Sequence, residues 1–254
     1  MFKITALPFH ASIGTPFIEL QWVESTNNYA IGLVYEGMAQ SGTAVFAHHQ
    51  TKGKGQRAKE WHGAAGKNIA LSIVLQTVPL MLSQSFLLSM AMAIGVRNFF
   101  SNYADDQVKI KWPNDLFWRD RKAGGILIEN LLRGLDWKAA IVGIGINVNQ
   151  TNFGDLNSKA VSLKQITGKE HEPVLLAKEL CRYLSDAYVL LEKRPQQIIE
   201  EYKRNLYKLA ETVRLKKGNR VFSAIVKDVS LQGELIVETT TEERFAVGEV
   251  EWLL

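Results

Sequence analysis

A lone cysteine, Cys181, is all the thiol chemistry that 254 residues offer. It excludes an internal disulfide, and one thiol without partner ligands makes no zinc site. Its surroundings, "LLAKELCRYL", have amphipathic helical spacing, so packing in a reducing, cytoplasmic compartment is the expected role. Long apolar runs are missing too. The most apolar stretch, "SFLLSMAMAIGVRNFF", contains Arg97 and has polar flanks, which makes it a core helix and not a ~20-residue membrane span. The opening "MFKITALPF" is too short and too interrupted for the apolar region of a signal peptide. Charge of one sign is equally scarce: 30 Lys+Arg against 26 Asp+Glu leave +4, too mild for a polyelectrolyte partner. Neither nucleic acid nor membrane is expected as a partner.

What is present alternates strands with helices. "IELQWVE", "GTAVFAHHQ", "NIALSIVLQ", "VKIKW", "AGGILIENLL" and "KAAIVGIGINV" read as strands. Ser25 and Thr26 offer N-caps to a helix through "NYAIGLVY", and a long helix is predicted from about Ser83 to Tyr103. Helical patterning returns from Pro173 to Tyr207, with Pro195 placed to start a second helix. The texture then changes to short alternating runs punctuated by Gly218-Asn219 and Gln232-Gly233, five strands at the spacing of a small barrel. The expected fold class is α+β, a mixed sheet flanked by helices with a small C-terminal β-barrel. The expected division is 1–209 and 210–254.

Three segments concentrate unusual residues. "QTKGKGQRAKEWHG" sets Lys52, Lys54, Arg57 and Lys59 among glycines around Trp61. It has neither the spacing of a P-loop nor that of a dinucleotide fingerprint. It fits either a solvated connection or a clamp whose glycines admit an anion beside an aromatic platform. "KIKWPNDLFWRDRKAGGILIEN" puts Lys109 and Lys111 on one strand face, stops at Pro113, turns at Asn114-Asp115 and delivers Lys122 before Gly124 and Gly125. Solvated surface lysines would give the same pattern. In "IVGIGINVN", Gly143 and Gly145 suggest a close approach by another body, or a strand bending in a crowded core.

Together, "ESTNNYA", "QTKGKGQRAKEW", "KWPNDL" with "RKAGGILIE", and "GIGINV" resemble, in that order, the biotin–protein ligases. "GNRVFSAIVKDVSLQGELIVE" is similar to the small SH3-like barrel of that family. The likeness runs from about residue 20 to the end and leaves too little chain before it for the winged helix-turn-helix of some members. It implies a class II synthetase-like catalytic domain that uses biotin and ATP with Mg2+. The partner would be the biotin carboxyl carrier domain of acetyl-CoA carboxylase or a related carboxylase.

Residue by residue, the resemblance implies a biotin site at Ser25, Thr26, Asn27, Gln50, Gly53, Lys54, Gly55, Gln56, Lys122 and Gly125. ATP and the adenylate would meet Lys54, Arg57, Trp61, Lys111, Asn114, Lys122 and Asn147. Catalysis would rest on Lys122 and Lys54, with Asp115 either orienting the acceptor amine or merely capping its turn. No protein metal-ligand set is expected. The chain departs from many members in placing Gln56 after the second glycine and the arginine one later, at Arg57. A lipoate–protein ligase would share the chemistry but want a longer, apolar acyl tunnel, and a non-catalytic biotin sensor would have no use for Lys122. Exposed strand edges would support a homodimer without locating it.

Overall fold

The structure is a computed structural model that describes residues 12–76, 80–134 and 136–253. The first nine residues, weighed above as a targeting segment, lie outside the described residues.

Among the described residues, seven strands and five α-helices precede residue 205. The short strand β1 (Phe17–Leu20) leads to α1 (Thr26–Tyr35). Ser25 is its N-cap, and its hydroxyl accepts from the Asn28 backbone N–H. Strands β2 (Ala44–Ala47) and β3 (Asn68–Gln76) precede the buried helix α2 (Ser85–Ala104). Then come β4 (Val108–Lys111), β5 (Asp115–Trp118), β6 (Arg121–Arg133) and β7 (Asp136–Asn147). Helices α3 (Leu163–Thr167), α4 (Pro173–Lys193) and α5 (Pro195–Arg204) complete this part, with proline in the first turn of the last two.

The sheet order is β1-β2-β3-β7-β6-β5-β4. β1 and β2 are parallel and every other pair is antiparallel, so the sheet is mixed. One face packs on α2, α4 and α5 through Leu88, Met92, Phe99, Leu180 and Tyr202. α1 covers part of the other with Ala30 and Leu33 against Val45, Val74 and Ile141. The remainder of that second face is left for a cavity.

The five expected C-terminal strands are β8 (Thr212–Lys217), β9 (Arg220–Val229), β10 (Leu235–Glu238), β11 (Glu242–Phe245) and β12 (Glu251–Trp252). Their order, β11-β10-β9-β8-β12, leaves β11 and β12 unpaired with each other, so the sheet is open and not a closed barrel. Edge strands of four and two residues are too short to curl round and meet. Its apolar side merges with the main core: Val213, Leu215, Val226 and Phe245 belong to the same cluster as α2. The Trp112 indole donates to Gly233 O at 2.9 Å, and Lys203 pairs with Asp228 at 2.6 Å.

Cys181 is buried, and burial pushes its thiol up to about 12. That leaves little thiolate at neutral pH and fits a packing role.

Candidate active site

The register of the central strands builds a floor of small side chains. Ala70 of β3, Gly145 of β7 and Gly125 of β6 form one cross-strand row, and Ser72, Gly143 and Leu127 form the next. Glu129 shares a side with Gly125 and Leu127, because alternate strand residues face the same way.

Both β7 glycines are demanded by close approach. A Cβ on Gly143 would stand 2.3 Å from Asn27 Oδ1, and one on Gly145 would stand 2.5 Å from the Trp61 ring. The close bodies anticipated from the glycines are thus a helix N-terminal side chain and an indole.

Above this floor lies a cavity of about 780 Å3. One end is a polar network. Gln50 Oε1 accepts from the Thr26 N–H at 2.8 Å and from its hydroxyl at 3.0 Å. Ser72 Oγ lies 2.8 Å from Thr26 Oγ1 and donates to Asn27 Oδ1 at 2.5 Å. The Asn27 amide donates to Glu129 at 2.7 Å, and Glu129 also receives Lys54 at 3.3 Å. Ser25, Thr26 and Asn27 are buried, so these bonds fix their positions and leave little freedom to misalign.

The other end is cationic. Lys122 pairs with Asp115 at 2.6 Å, and Gly125 leaves the space beside both: a Cβ there would sit 3.2 Å from Asp115 and 3.5 Å from the Lys122 ammonium. The Lys122 backbone is clamped by its own N–H to Lys159 O at 2.7 Å and by Val161 N–H to Lys122 O at 2.9 Å. Lys111 lies over Phe117 at 5.0 Å and Trp252 at 5.6 Å. Burial lowers its pKa to about 8 against the opposing pull of Asp115, and Lys122 and Lys59 lower it further.

The basic loop forms the lid-side wall as a narrow hairpin. Trp61 N–H donates to Gly53 O at 2.9 Å, and Gly55 N–H donates to Lys59 O at 2.7 Å. Arg57 is left-handed at φ 56°, and its guanidinium rests against Gly248, where a Cβ would be 2.6 Å from Cζ.

The sequence model of the biotin/lipoate A/B protein ligase family matches residues 19–147, half of the chain. The chain belongs to that family. Among its relatives, the bifunctional ligase/repressor BirA of Escherichia coli is 30% identical over 224 residues, covering 85% of this chain and 67% of that one. The biotin–[acetyl-CoA-carboxylase] ligase of Mycobacterium tuberculosis is 25% identical over 218 residues, covering 84% and 80%. A biotin protein ligase from Aquifex aeolicus, solved in complex with biotin and ATP, has the same fold: TM-score 0.78 at 24% identity, over 93% of this chain and 98% of that one.

Against this biotin/lipoate ligase background, the cavity gathers most of the residues expected from sequence. Ser25, Thr26, Asn27, Gln50, Lys54, Gly55, Gln56, Arg57, Trp61, Lys111, Asn114, Asp115, Lys122 and Gly125 all line it. Gly53 does not. It borders a smaller cavity, and its missing side chain is required by the returning arm of the loop, since a Cβ would meet Trp61 O at 2.4 Å. Asn147 is also outside the lining, its amide donating to Val161 O at 3.1 Å and Lys122 O at 3.3 Å. There it braces the Lys122 backbone.

Four contributors were not anticipated. Glu129 and Ser72 complete the polar network, and counting alternate residues from Gly125 and from Gly143's partner strand would have found them. Trp252 and Val250 supply a wall from the C-terminal sheet, and a two-residue strand carries no periodic signal.

Among the described residues no three His, Cys, Asp or Glu side chains are grouped to cage a metal, and no helix is long and apolar enough to cross a membrane.

Proposed function

We propose that this chain activates biotin with ATP to biotinyl-5'-AMP and then transfers biotin to a lysine of a carboxylase's biotin carboxyl carrier domain. The observation that carries this reading is the pairing, in one cavity, of a fixed polar end with a lysine-rich end. A ureido ring has two N–H donors and a carbonyl, and the buried Ser25, Thr26 and Asn27 with the half-buried Gln50 answer it with pre-aligned partners. A lipoyl ring has no N–H or carbonyl to offer this network, whereas the ureido ring has three such groups. The polar end therefore favours biotin.

In the first half-reaction the biotin carboxylate attacks the α-phosphate of ATP and pyrophosphate leaves. A carboxylic acid of pKa near ~4 is already ionised at pH 7, so no base is needed. The obstacle is one anion approaching another. Lys122, with its backbone clamped on both sides, stands where carboxylate and α-phosphate would meet, and Lys54 adds charge from the loop. Lys111, Asn114 and Arg57 line the path of the phosphates, and Trp61 offers the face on which adenine would stack. Asn147 serves the adenylate indirectly, through the Lys122 carbonyl it holds. Magnesium enters with ATP as part of the substrate, since Mg2+ is satisfied by phosphate oxygens, water and one or two carboxylates.

In the second half-reaction an acceptor lysine attacks the mixed anhydride. A lysine of pKa ~10.4 is neutral about 0.04% of the time at pH 7, a handicap of roughly 4.6 kcal/mol. Asp115, already facing Lys122, would accept a hydrogen bond from the incoming ammonium and orient it.

Incubation with biotin and ATP, followed by assay for pyrophosphate and then for biotin on an added carrier domain, tests the reading. Pyrophosphate with lipoate but not biotin would replace it by lipoate ligation. Biotin binding without pyrophosphate would leave a sensor.

A further inference from the structure

Strict alternation along β6 would not point Lys122 into the cavity. Gly125, Leu127 and Glu129 share the cavity side, so counting back by twos reaches Ala123 and turns Lys122 the other way, with Gly124 and Ile126. The strand escapes this by a slip in register. Asp115 pairs with Gly125 and Leu116 with Gly124, but Phe117 pairs with Lys122 and Trp118 with Arg121, which leaves Ala123 without a partner. One extra residue re-aims the side chains beyond it. Ala123 is accordingly buried in the core, while the Lys122 ammonium meets Asp115 in the space beside Gly125.

A bulge interrupts the ladder, and a residue outside the hairpin braces this one. Tyr207, only 4% exposed, lies in the segment that joins α5 to β8. Its N–H donates to Ile110 O at 2.9 Å, and Ile110 N–H donates to Asn205 O at 2.8 Å, so the segment runs along β4. The Tyr207 ring lies 5.1 Å from that of Phe117, the cross-strand partner of Lys122, and 5.9 Å from that of Trp252. These are the two rings that carry the Lys111 ammonium. Its hydroxyl donates to Asp120 at 2.7 Å, in the turn that leads to Lys122. Burial pushes the Tyr207 hydroxyl up, and the bond from Tyr207 holds the Asp120 carboxyl down, so donor and acceptor stay matched at neutral pH. Lys208 adds pairs to Asp120 at 3.3 Å and Glu211 at 3.1 Å. Lys208 and Ala210 are left-handed at φ 59° and 61°, a backbone that non-glycine residues keep only where their surroundings hold it.

We propose that Tyr207 is a positioning residue for the adenylation step: its ring and hydroxyl hold the bulged end of the β5–β6 hairpin so that Lys122 faces the cavity. This rests on the ligase reading above. The bonds to Lys159 O and from Val161 N–H hold the Lys122 backbone on one side. Tyr207 holds the other side, through the partner residue Phe117 and the turn at Asp120. A cation on a flexible stem helps two anions meet only where it is placed between them, and a displacement of about 1 Å can cost on the order of 100-fold in rate. The same ring backs the aromatic pair beneath Lys111, so one buried side chain outside the cavity lining supports both cavity lysines.

The test uses the full chain with biotin and ATP and reads pyrophosphate release. Tyr207→Phe removes the hydroxyl and keeps the ring. It should lower kcat on the order of tenfold and leave the KM for biotin within about twofold, because the polar end of the cavity is built from other elements. Asp120→Asn keeps an oxygen for the hydroxyl and should hold near wild-type kcat, whereas Asp120→Ala should fall as Tyr207→Phe does. A double-variant cycle shows through which residue the tyrosine acts: in a Lys122→Ala background, Tyr207→Phe should cost nothing further. Losses that multiply would mean that Tyr207 serves the fold at large, and would overturn the proposal. So would wild-type kcat in Tyr207→Phe, or equal losses in Asp120→Asn and Asp120→Ala. Wild-type protein that forms no pyrophosphate would overturn the ligase reading itself, a different failure.

Discussion

The Lys122 ammonium lies 2.6 Å from the Asp115 carboxylate, across a gap kept open by Gly125. Lys122 thus has a protein partner that a ligand must share or displace. Lys122→Ala should remove most pyrophosphate formation, by 100-fold or more, because a positioned charge on the reacting phosphate is lost. Since both side chains are part-exposed, the melting free energy should change by no more than about 1 kcal/mol. Near-normal pyrophosphate release would take Lys122 out of the chemistry.

Trp61 rests on Gly145 with its indole N–H buried and without a partner. Trp61→Ala should weaken ATP or adenylate binding by about 1–3 kcal/mol, the range for base–aromatic stacking, and biotin binding by less. Gly145→Ala should imitate it, because its methyl group would fall 2.5 Å from the ring and push the indole away. Calorimetric titration with each ligand separates these losses, and equal weakening for both would indicate general misfolding.

Gly143→Ala acts at the other end of the cavity. The new methyl would meet Asn27 Oδ1 at 2.3 Å and break its bonds to Ser72 and Glu129. Biotin affinity should fall at least tenfold and stability by about 1–3 kcal/mol. A normal biotin Kd in this variant would remove Asn27 from the biotin site.

Lys52, Lys54, Arg57 and Lys59 are four trypsin sites in one loop. Of these, the Lys52 and Lys54 side chains make part-exposed pairs with Glu24 and Glu129. Such pairs contribute roughly 0–1 kcal/mol, so the hairpin should open often when no phosphate is present. Trypsin should cut between residues 52 and 59 in the free protein and much more slowly with biotin plus ATP. ATP alone should protect less, because the acyl half that meets Lys122 is missing. Identical cleavage rates with and without both ligands would reduce the segment to a solvated connection.

Burial of Lys111 has a stability signature of defined sign. Its pKa is lowered from 10.5 to about 8, so the unfolded chain binds the proton more tightly than the folded one. Stability should therefore fall as pH drops from about 10.5 through 8, with the full cost present below. Lys111→Met should stabilise the fold at pH 7 by on the order of 1–3 kcal/mol, and the gain should vanish above pH 10.5. Denaturant titrations at pH 7 and above 10.5 check this, and a destabilised Lys111→Met at pH 7 would contradict it.

Legibility in the sequence followed the strength of the local signal. "NIALSIVLQ" is β3 from end to end, because six apolar residues among its nine are buried on both faces of the sheet. Ser25 marked its helix start because a hydroxyl there satisfies an otherwise orphaned N–H. "IELQWVE" was read too long: β1 stops at Leu20, and Val23 continues only as an isolated bridge to Gln50. Barrel closure was expected from strand count, but closure depends on edge pairing that count does not encode. Gly53, expected at the biotin site, is also required by the loop's own return, where a Cβ would meet Trp61 O. Glu129 and Ser72 were hidden in strands whose alternation was not followed to the end.

The wall formed by Val250 and Trp252 has a consequence for the order in which the molecule comes into being. The polar end, the glycine floor, the loop and Lys122 are all made by residue 147, whereas the ring facing Lys111 is at residue 252. During synthesis, at about 5–20 residues per second, some 105 further residues separate a recognisable vitamin site from an enclosed one. Enclosure of the cavity thus depends on a strand that lies far along the chain from the floor it covers.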